Sequence, residues 1–189
     1  SPHKHILEPL WELSEAPLKA LETALDRLED GEPLQYVLGW EEFCGHRFRV
    51  SPAVLIPRPE TEELVRHICA AASGIPHPTV LDLCTGSGCI AWSLAALLAA
   101  RVTAVDISAD ALALASAQDI PCPQDAGVRF LERDVLQPGS LDDLGTFDIL
   151  VSNPPYVRES EKAAMRANVL DHEPALALFV PDSDPLRFY

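Results

Sequence analysis

The 189 residues are 48% apolar and, with 14 basic against 29 acidic side chains, carry a formal charge of -15 at neutral pH. That length suits one mid-sized domain with a small appendage, and that apolar share builds a core rather than a disordered chain. A field of this sign keeps the protein soluble, repels phosphate backbones and draws basic protein surfaces, so direct nucleic-acid binding is disfavoured.

The longest apolar run, Ile90 to Ala100, is broken by Ser93 and is too short for a bilayer. No basic-then-apolar leader follows Ser1, so the chain reads as a cytoplasmic protein with no membrane role. Cys44, Cys69, Cys84, Cys89 and Cys122 contain no C-x-x-C pair, which points to reduced thiols rather than a disulfide framework or a zinc site. The histidines are scattered, with His3 and His5 near a terminus, so no metal is expected.

Along the chain, Leu18, Leu21, Leu25 and Leu28 recur on one helical face, with Glu22, Asp26 and Glu29 opposite. This suits an amphipathic hairpin of helices that Gly31 ends. From Gln35 to Ile56 short apolar runs are broken by Gly45 and Pro52, the mark of a small β-hairpin. The stretch Ile56-Pro57-Arg58-Pro59-Glu60-Thr61-Glu62 then opens a helix at Glu60 or Thr61 that runs to about Ala72. Acids in its first turn suit the helix dipole. Arg58, between two prolines, reads equally as a functional arm or as part of a cap.

A β-α-β rhythm follows. Strands are expected at Thr79 to Leu83, Arg101 to Val105, Val128 to Leu131 and Phe147 to Ser152; helices at Gly88 to Ala100 and Ala109 to Ala117. This alternation predicts a parallel sheet covered on both faces. The last strand, rich in branched residues, reads as buried on both sides and stops at Asn153-Pro154-Pro155-Tyr156. Two prolines cannot donate ladder hydrogen bonds, so they fix a stiff loop at a strand's carboxyl end, where open α/β sheets bind ligands.

Asp82-Leu83-Cys84-Thr85-Gly86-Ser87-Gly88 forms the first strand-to-helix turn, and Asp106 ends the next strand, where a carboxylate can take both hydroxyls of a ribose. Gly86-x-Gly88-x-x-Ala91 also satisfies a dinucleotide fingerprint, so the glycine turn alone leaves the cofactor open. Asp134 follows the third strand, where it and Val135 can meet an adenine edge and face. In a doubly wound sheet whose order reverses after the first strand, strands one and four are neighbours. The glycine turn and the Asn-Pro-Pro-Tyr loop then share one crevice.

These blocks resemble the class I S-adenosylmethionine-dependent methyltransferases, and Asn-Pro-Pro-Tyr resembles the branch that methylates planar nitrogens. With Leu55 to Glu62, Val105-Asp106-Ile107-Ser108 and Glu173-Pro174-Ala175-Leu176-Ala177-Leu178, the chain is similar from about Gly31 onward to the peptide chain release factor glutamine methyltransferase family. The resemblance implies a Rossmann-like doubly wound α/β domain over residues 59–189, its last strands missing from this chain. A partial helical module over 1–33 and a β-hairpin connector over 34–58 precede it.

The implied activity is methyl transfer from S-adenosylmethionine, leaving S-adenosylhomocysteine, to N5 of the glutamine in the Gly-Gly-Gln motif of class I release factors. Carried over by position, Cys84, Thr85, Gly86, Ser87 and Gly88 line the methionine end of the cofactor. Asp106 takes its ribose, Asp134 and Val135 its adenine side. Asn153, Pro154, Pro155 and Tyr156 hold the substrate glutamine and carry catalysis, Asn153 also touching the cofactor. Cys84 stands where the family usually has glycine, which an ordinary backbone conformation there would tolerate. A ribosomal-protein glutamine methyltransferase, an adenine-N6 nucleic-acid methyltransferase and a nucleotide-binding module without catalysis remain alternatives at this point.

Overall fold

The computed structural model describes residues 14–189. His3, His5 and the first arm of the expected helical hairpin lie outside the described residues. Helix α1 (Glu15–Glu29) is the second arm, and it ends where Gly31 takes a φ of 86°. Its four leucines stay largely exposed, so the amphipathic stripe has no partner among the described residues.

Part of the expected hairpin segment is helical instead. Leu34–Leu38 forms a one-turn helix, α2, closed by Gly39 in the left-handed conformation. The hairpin itself is β1 (Trp40–Phe43) and β2 (His46–Arg49), antiparallel, with Phe43 facing His46. Its two-residue turn, Cys44-Gly45, has positive φ at both positions, the geometry that matches the twist of paired strands. Residues 54–56 continue as irregular chain rather than as strand. Phe43 and Phe48 meet edge to face and sit in the same buried cluster as Val65, Val80 and Leu94, so the hairpin packs into the main core. Tyr36, Val50, Val54 and Ile56 form a second cluster, where the Tyr36 hydroxyl donates to the Val54 carbonyl at 2.6 Å.

Helix α3 (Pro59–Ala71) starts with proline at its first position and Arg58 as its cap. Then come β3 (Thr79–Leu83), α4 (Cys89–Leu98), β4 (Arg101–Asp106), α5 (Ala109–Ser116), β5 (Gly127–Glu132) and β6 (Ile149–Ser152). The four strands are parallel in the order β5-β4-β3-β6, so the first and last are neighbours. The β6 edge is pinned at its start, where Asp148 accepts from both the backbone N–H and the hydroxyl of Thr79 at 2.8 Å.

Val80, Val102, Ala104 and Val151 pack with α4 residues in the main core. On the opposite face of β6, Leu150 is 66% exposed, so the expectation that this run is buried on both sides does not hold here. The reason is positional: β6 is the outer strand of the four, and its alternate residues turn away from the helical layer. After β6 the chain forms β7 (Val157–Arg158), helix α6 (Ala167–His172) and β8 (Phe179–Val180), with β8 pairing parallel to β7. No described helix is long and apolar enough to cross a membrane.

Candidate active site

A cavity of about 310 Å³ opens at the carboxyl ends of β3, β4, β5 and β6. It forms there because every parallel strand delivers its following loop to the same end, and the order reverses beside β3. Cys84, Thr85, Gly86, Ser87, Asp106, Asp134, Val135, Asn153 and Pro155 all line it. Gly88, Pro154 and Tyr156 do not, and Tyr156 is 62% exposed.

The turn after β3 is held by carboxylates. Asp106 accepts from the Gly86 N–H at 2.8 Å through one oxygen and from the Ser108 N–H at 3.0 Å through the other. Each oxygen keeps a lone pair for a further donor. Ser108 caps α5, its hydroxyl accepting from the Ala111 N–H. Asp82 is fully buried beneath the turn and accepts the Thr85 hydroxyl proton at 2.6 Å, while its other oxygen has no partner among the described residues. Burial raises its pKa to about 7, with the nearby Asp106 charge adding to the rise and the Thr85 bond opposing it.

Two positions in this turn differ in what glycine or its replacement must do. Gly88 has a φ of 77°, and a Cβ there would meet Ala115 Cβ and Trp92 Cδ1 at 3.1 Å. Its work is close packing of the turn against α4 and α5, not cavity lining. Cys84 has a φ of 58°, so the backbone is not the ordinary one that would accept a thiol without strain. Burial pushes its thiol up to about 12, with Asp106 and Asp82 raising it further and Ser152 opposing, so it is a neutral thiol rather than a nucleophile.

Asp134 closes the turn after β5 by accepting from the Leu136 N–H at 2.9 Å, which leaves its second oxygen without a hydrogen-bond partner among the described residues. Asn153 leaves β6 directly after Ser152, whose hydroxyl donates to the Leu83 carbonyl at 2.9 Å and so locks the two strand ends together. The loop beyond is fixed by the Val157 N–H donating to the Leu178 carbonyl at 2.9 Å.

Several residues in or behind the wall have partners far away in the sequence. Arg58 Nη2 sits 2.6 Å from the buried Glu173 carboxylate, which also accepts the Ile56 N–H at 3.2 Å. Thr61 lines the cavity and lies 3.4 Å from the Asn153 amide nitrogen. Gln118 is buried outside the cavity. It receives the Arg49 N–H at 2.8 Å and donates to the carbonyls of Arg49 and Ser87, tying the hairpin to the glycine turn. Arg133, Arg187 and Phe188 complete the rim. The pairing of Arg58 with the Glu-Pro-Ala-Leu-Ala-Leu block could have been suspected only from the joint presence of the two blocks.

The family model of the methyltransferase small domain matches residues 60–176. The chain belongs to that family. A second model, the PrmC N-terminal domain, matches residues 1–39, so the likeness begins well before Gly31. Proteins named release factor glutamine methyltransferase from Bacteroides thetaiotaomicron, Flavobacterium psychrophilum and Chlorobaculum tepidum are 52%, 46% and 45% identical to it. The matches cover 94%, 97% and 87% of this chain and 62%, 65% and 58% of theirs. The chain therefore spans somewhat under two thirds of the length of these curated relatives. The two family models in this order, with these relatives, put it in the PrmC-like branch of the family.

Among solved structures, the hMettl16 catalytic domain in complex with MAT2A 3′UTR hairpin 6 is 17% identical. It covers 79% of this chain and 57% of its own, with a TM-score of 0.55. That is a likeness of fold alone, and the fold is the Rossmann-like one of class I methyltransferases.

Proposed function

We propose that the protein transfers a methyl group from S-adenosylmethionine to N5 of the glutamine in the Gly-Gly-Gln motif of class I release factors, leaving S-adenosylhomocysteine. The observation that carries this reading is one shared cavity, in which Asn153 and Pro155 face the space lined by Cys84 to Ser87, Asp106 and Asp134. The names of the relatives support the substrate class. The charge of -15 supports a basic protein partner over nucleic acid. Five free cysteines suit the reducing environment of a cytoplasmic protein.

The residues present fit the cofactor. Around Gly86 a Cβ would meet nothing within 4 Å, so the turn leaves room for a ligand beside its backbone. Asp106 retains acceptor capacity for two hydroxyls, Asp134 for an amine, and Ile107, Val135 and Leu136 offer apolar surface to a flat ring. Cys84 to Ser87 would hold the methionine end. When bound, the cofactor supplies an electrophilic methyl group on a sulfonium.

The chain's own task is to present a poor nucleophile. An amide nitrogen shares its lone pair with its carbonyl, so it reacts only when held in a fixed plane. Asn153 Oδ1 and the Pro154 carbonyl would each accept one hydrogen of the substrate amide, fixing that plane. The two prolines stiffen the backbone that carries both acceptors. Alignment of this kind supplies roughly 7–11 kcal/mol of a barrier in favourable cases. Tyr156 would cover the substrate stem from the loop's outer side. The substrate nitrogen loses its extra proton after transfer without a dedicated base.

The test is incubation of the protein with labelled S-adenosylmethionine and a class I release factor. Label on the Gly-Gly-Gln glutamine is expected, and its absence overturns the reading. Asn153→Ala is expected to keep cofactor affinity by calorimetry while transfer is lost. Equal loss of both would contradict the role given to Asn153.

A further inference from the structure

A carboxamide has two ends of similar size and opposite chemistry. If Asn153 is to receive the substrate NH2, its oxygen must face the substrate and its own NH2 must face away. Reversed, it would set donor against donor, and the substrate amide would lose one of its two acceptors. Neither the two prolines nor strand β6 distinguishes these states, because both act on the backbone.

Among the described residues, the side-chain group that meets the Asn153 amide is the Thr61 hydroxyl, whose oxygen accepts from Nδ2 at 3.4 Å. Thr61 is 8% exposed and faces the cavity. Its place is fixed from three sides. Its N–H donates to the Arg58 carbonyl at 2.9 Å, and Pro59 stiffens the first turn of α3. Arg58 is tied to Glu173 at 2.6 Å, and Glu62 beside Thr61 accepts the Cys44 N–H at 3.0 Å. A separation of 3.4 Å is long for a hydrogen bond, and catalytic contacts often tighten once substrate is in place.

We propose that Thr61 is a positioning residue that anchors the Asn153 side chain by accepting from its NH2, so that the threonine of the Pro-Arg-Pro-Glu-Thr-Glu block steadies the substrate acceptor 92 residues away. A hydroxyl can also donate, so it is the bound substrate amide that selects the oxygen-inward state. This rests on the methyl-transfer reading above. Thr61 acts through Asn153 and touches neither reacting atom.

Thr61→Val keeps the shape and removes the oxygen; Thr61→Ser restores it. In the full chain, Thr61→Val is expected to lower kcat on a Gly-Gly-Gln substrate about 10- to 100-fold, the scale on which small misplacements act. Calorimetric affinity for S-adenosylmethionine should stay within about 2-fold on the same reasoning, and Thr61→Ser should recover most of the rate. A Thr61→Val enzyme with the wild-type kcat, or one that loses cofactor affinity in step with rate, overturns the proposal.

A second readout does not depend on activity. The side-chain 15N–1H2 signals of Asn153, assigned by their loss in Asn153→Ala, should move in Thr61→Val and return in Thr61→Ser. Unmoved signals overturn the proposal. If the wild-type protein labels no glutamine, the functional reading fails, and the amide signals still decide whether Thr61 anchors Asn153.

Discussion

Arg58 and Glu173 lie 115 residues apart in sequence, yet their side chains meet at 2.6 Å behind the cavity wall. Glu173 is the buried partner and also receives the Ile56 N–H, so one carboxylate fixes both the approach to α3 and the segment after α6. Arg58 retains 35% side-chain exposure, which softens the electrostatic share of the pair.

The asymmetry of that pair gives a stability prediction. Glu173→Ala orphans the Ile56 N–H and the guanidinium together, and should destabilise by about 2–3 kcal/mol. Arg58→Met leaves a buried carboxylate without its cation and should destabilise by about as much. In the double variant Arg58→Met/Glu173→Ala neither charge of the pair remains, so its loss should be smaller than the two single losses added. Urea unfolding of the four proteins checks this; strict additivity would mean that the ion pair contributes nothing.

Asp82 predicts a pH dependence whose sign is set by its raised pKa. Its ordinary value is 3.8 and burial lifts it to about 7. Between those values the folded state holds a proton that the unfolded state has released, so folding stability falls as pH rises from about 4 to about 7, then levels. Asp82→Asn removes this contribution. The stability difference between variant and wild type should therefore grow in the variant's favour across the same window and stay constant above it. Denaturant titrations at several pH values measure it, and a flat difference across the window would show that Asp82 ionises like an exposed carboxylate.

Cys84 sits with φ 58° in a turn that glycine fills without strain. Left-handed backbone costs a non-glycine residue about 1–3 kcal/mol, while glycine loses about 0.4–1 kcal/mol through the freedom it adds to the unfolded chain. Cys84→Gly should thus stabilise the protein by about 1 kcal/mol, the difference of those two effects. Cys84→Val should destabilise it, because branching at Cβ worsens the same clash. Urea midpoints with unchanged m-values give the answer, and a Cys84→Gly protein less stable than wild type would refute the strain argument.

The sheet was legible because its signals are local. Each parallel strand is a short, largely apolar run, three of the four leading within two residues to Asp106, Asp134 or Asn153, and the expected adjacency of the first and fourth strands is the observed one. The residues brought to the cavity followed from that adjacency. What stayed hidden depends on partners distant in sequence. Nothing around Gln118 announces that it bridges Arg49 to Ser87, and nothing around Thr61 announces Asn153. Leu34–Leu38 is too short for a helical period to show, so its apolar residues passed for hairpin. The strain at Cys84 is a property of φ, to which composition is blind.

Two glycines in one turn separate packing from ligand access. Both have positive φ, so alanine at either is strained by the backbone alone. At Gly88 the added methyl would also press on Ala115 Cβ and Trp92 Cδ1, and Trp92 is held in place because its indole N–H donates to the Ala115 carbonyl at 2.8 Å. Neither neighbour can yield without opening the contact between α4 and α5. Gly88→Ala should therefore destabilise by about 2–4 kcal/mol, strain and overpacking together. At Gly86 the methyl meets no atom within 4 Å, so the strain acts alone and Gly86→Ala should destabilise by only about 1–2 kcal/mol. The order reverses for ligand affinity, since Gly86 lines the cavity and Gly88 does not. With both variants measured at a temperature where they remain folded, S-adenosylmethionine affinity should fall further in Gly86→Ala than in Gly88→Ala. If the less stable variant were also the weaker binder, the turn would be acting as one unit and the division drawn between its glycines would be wrong.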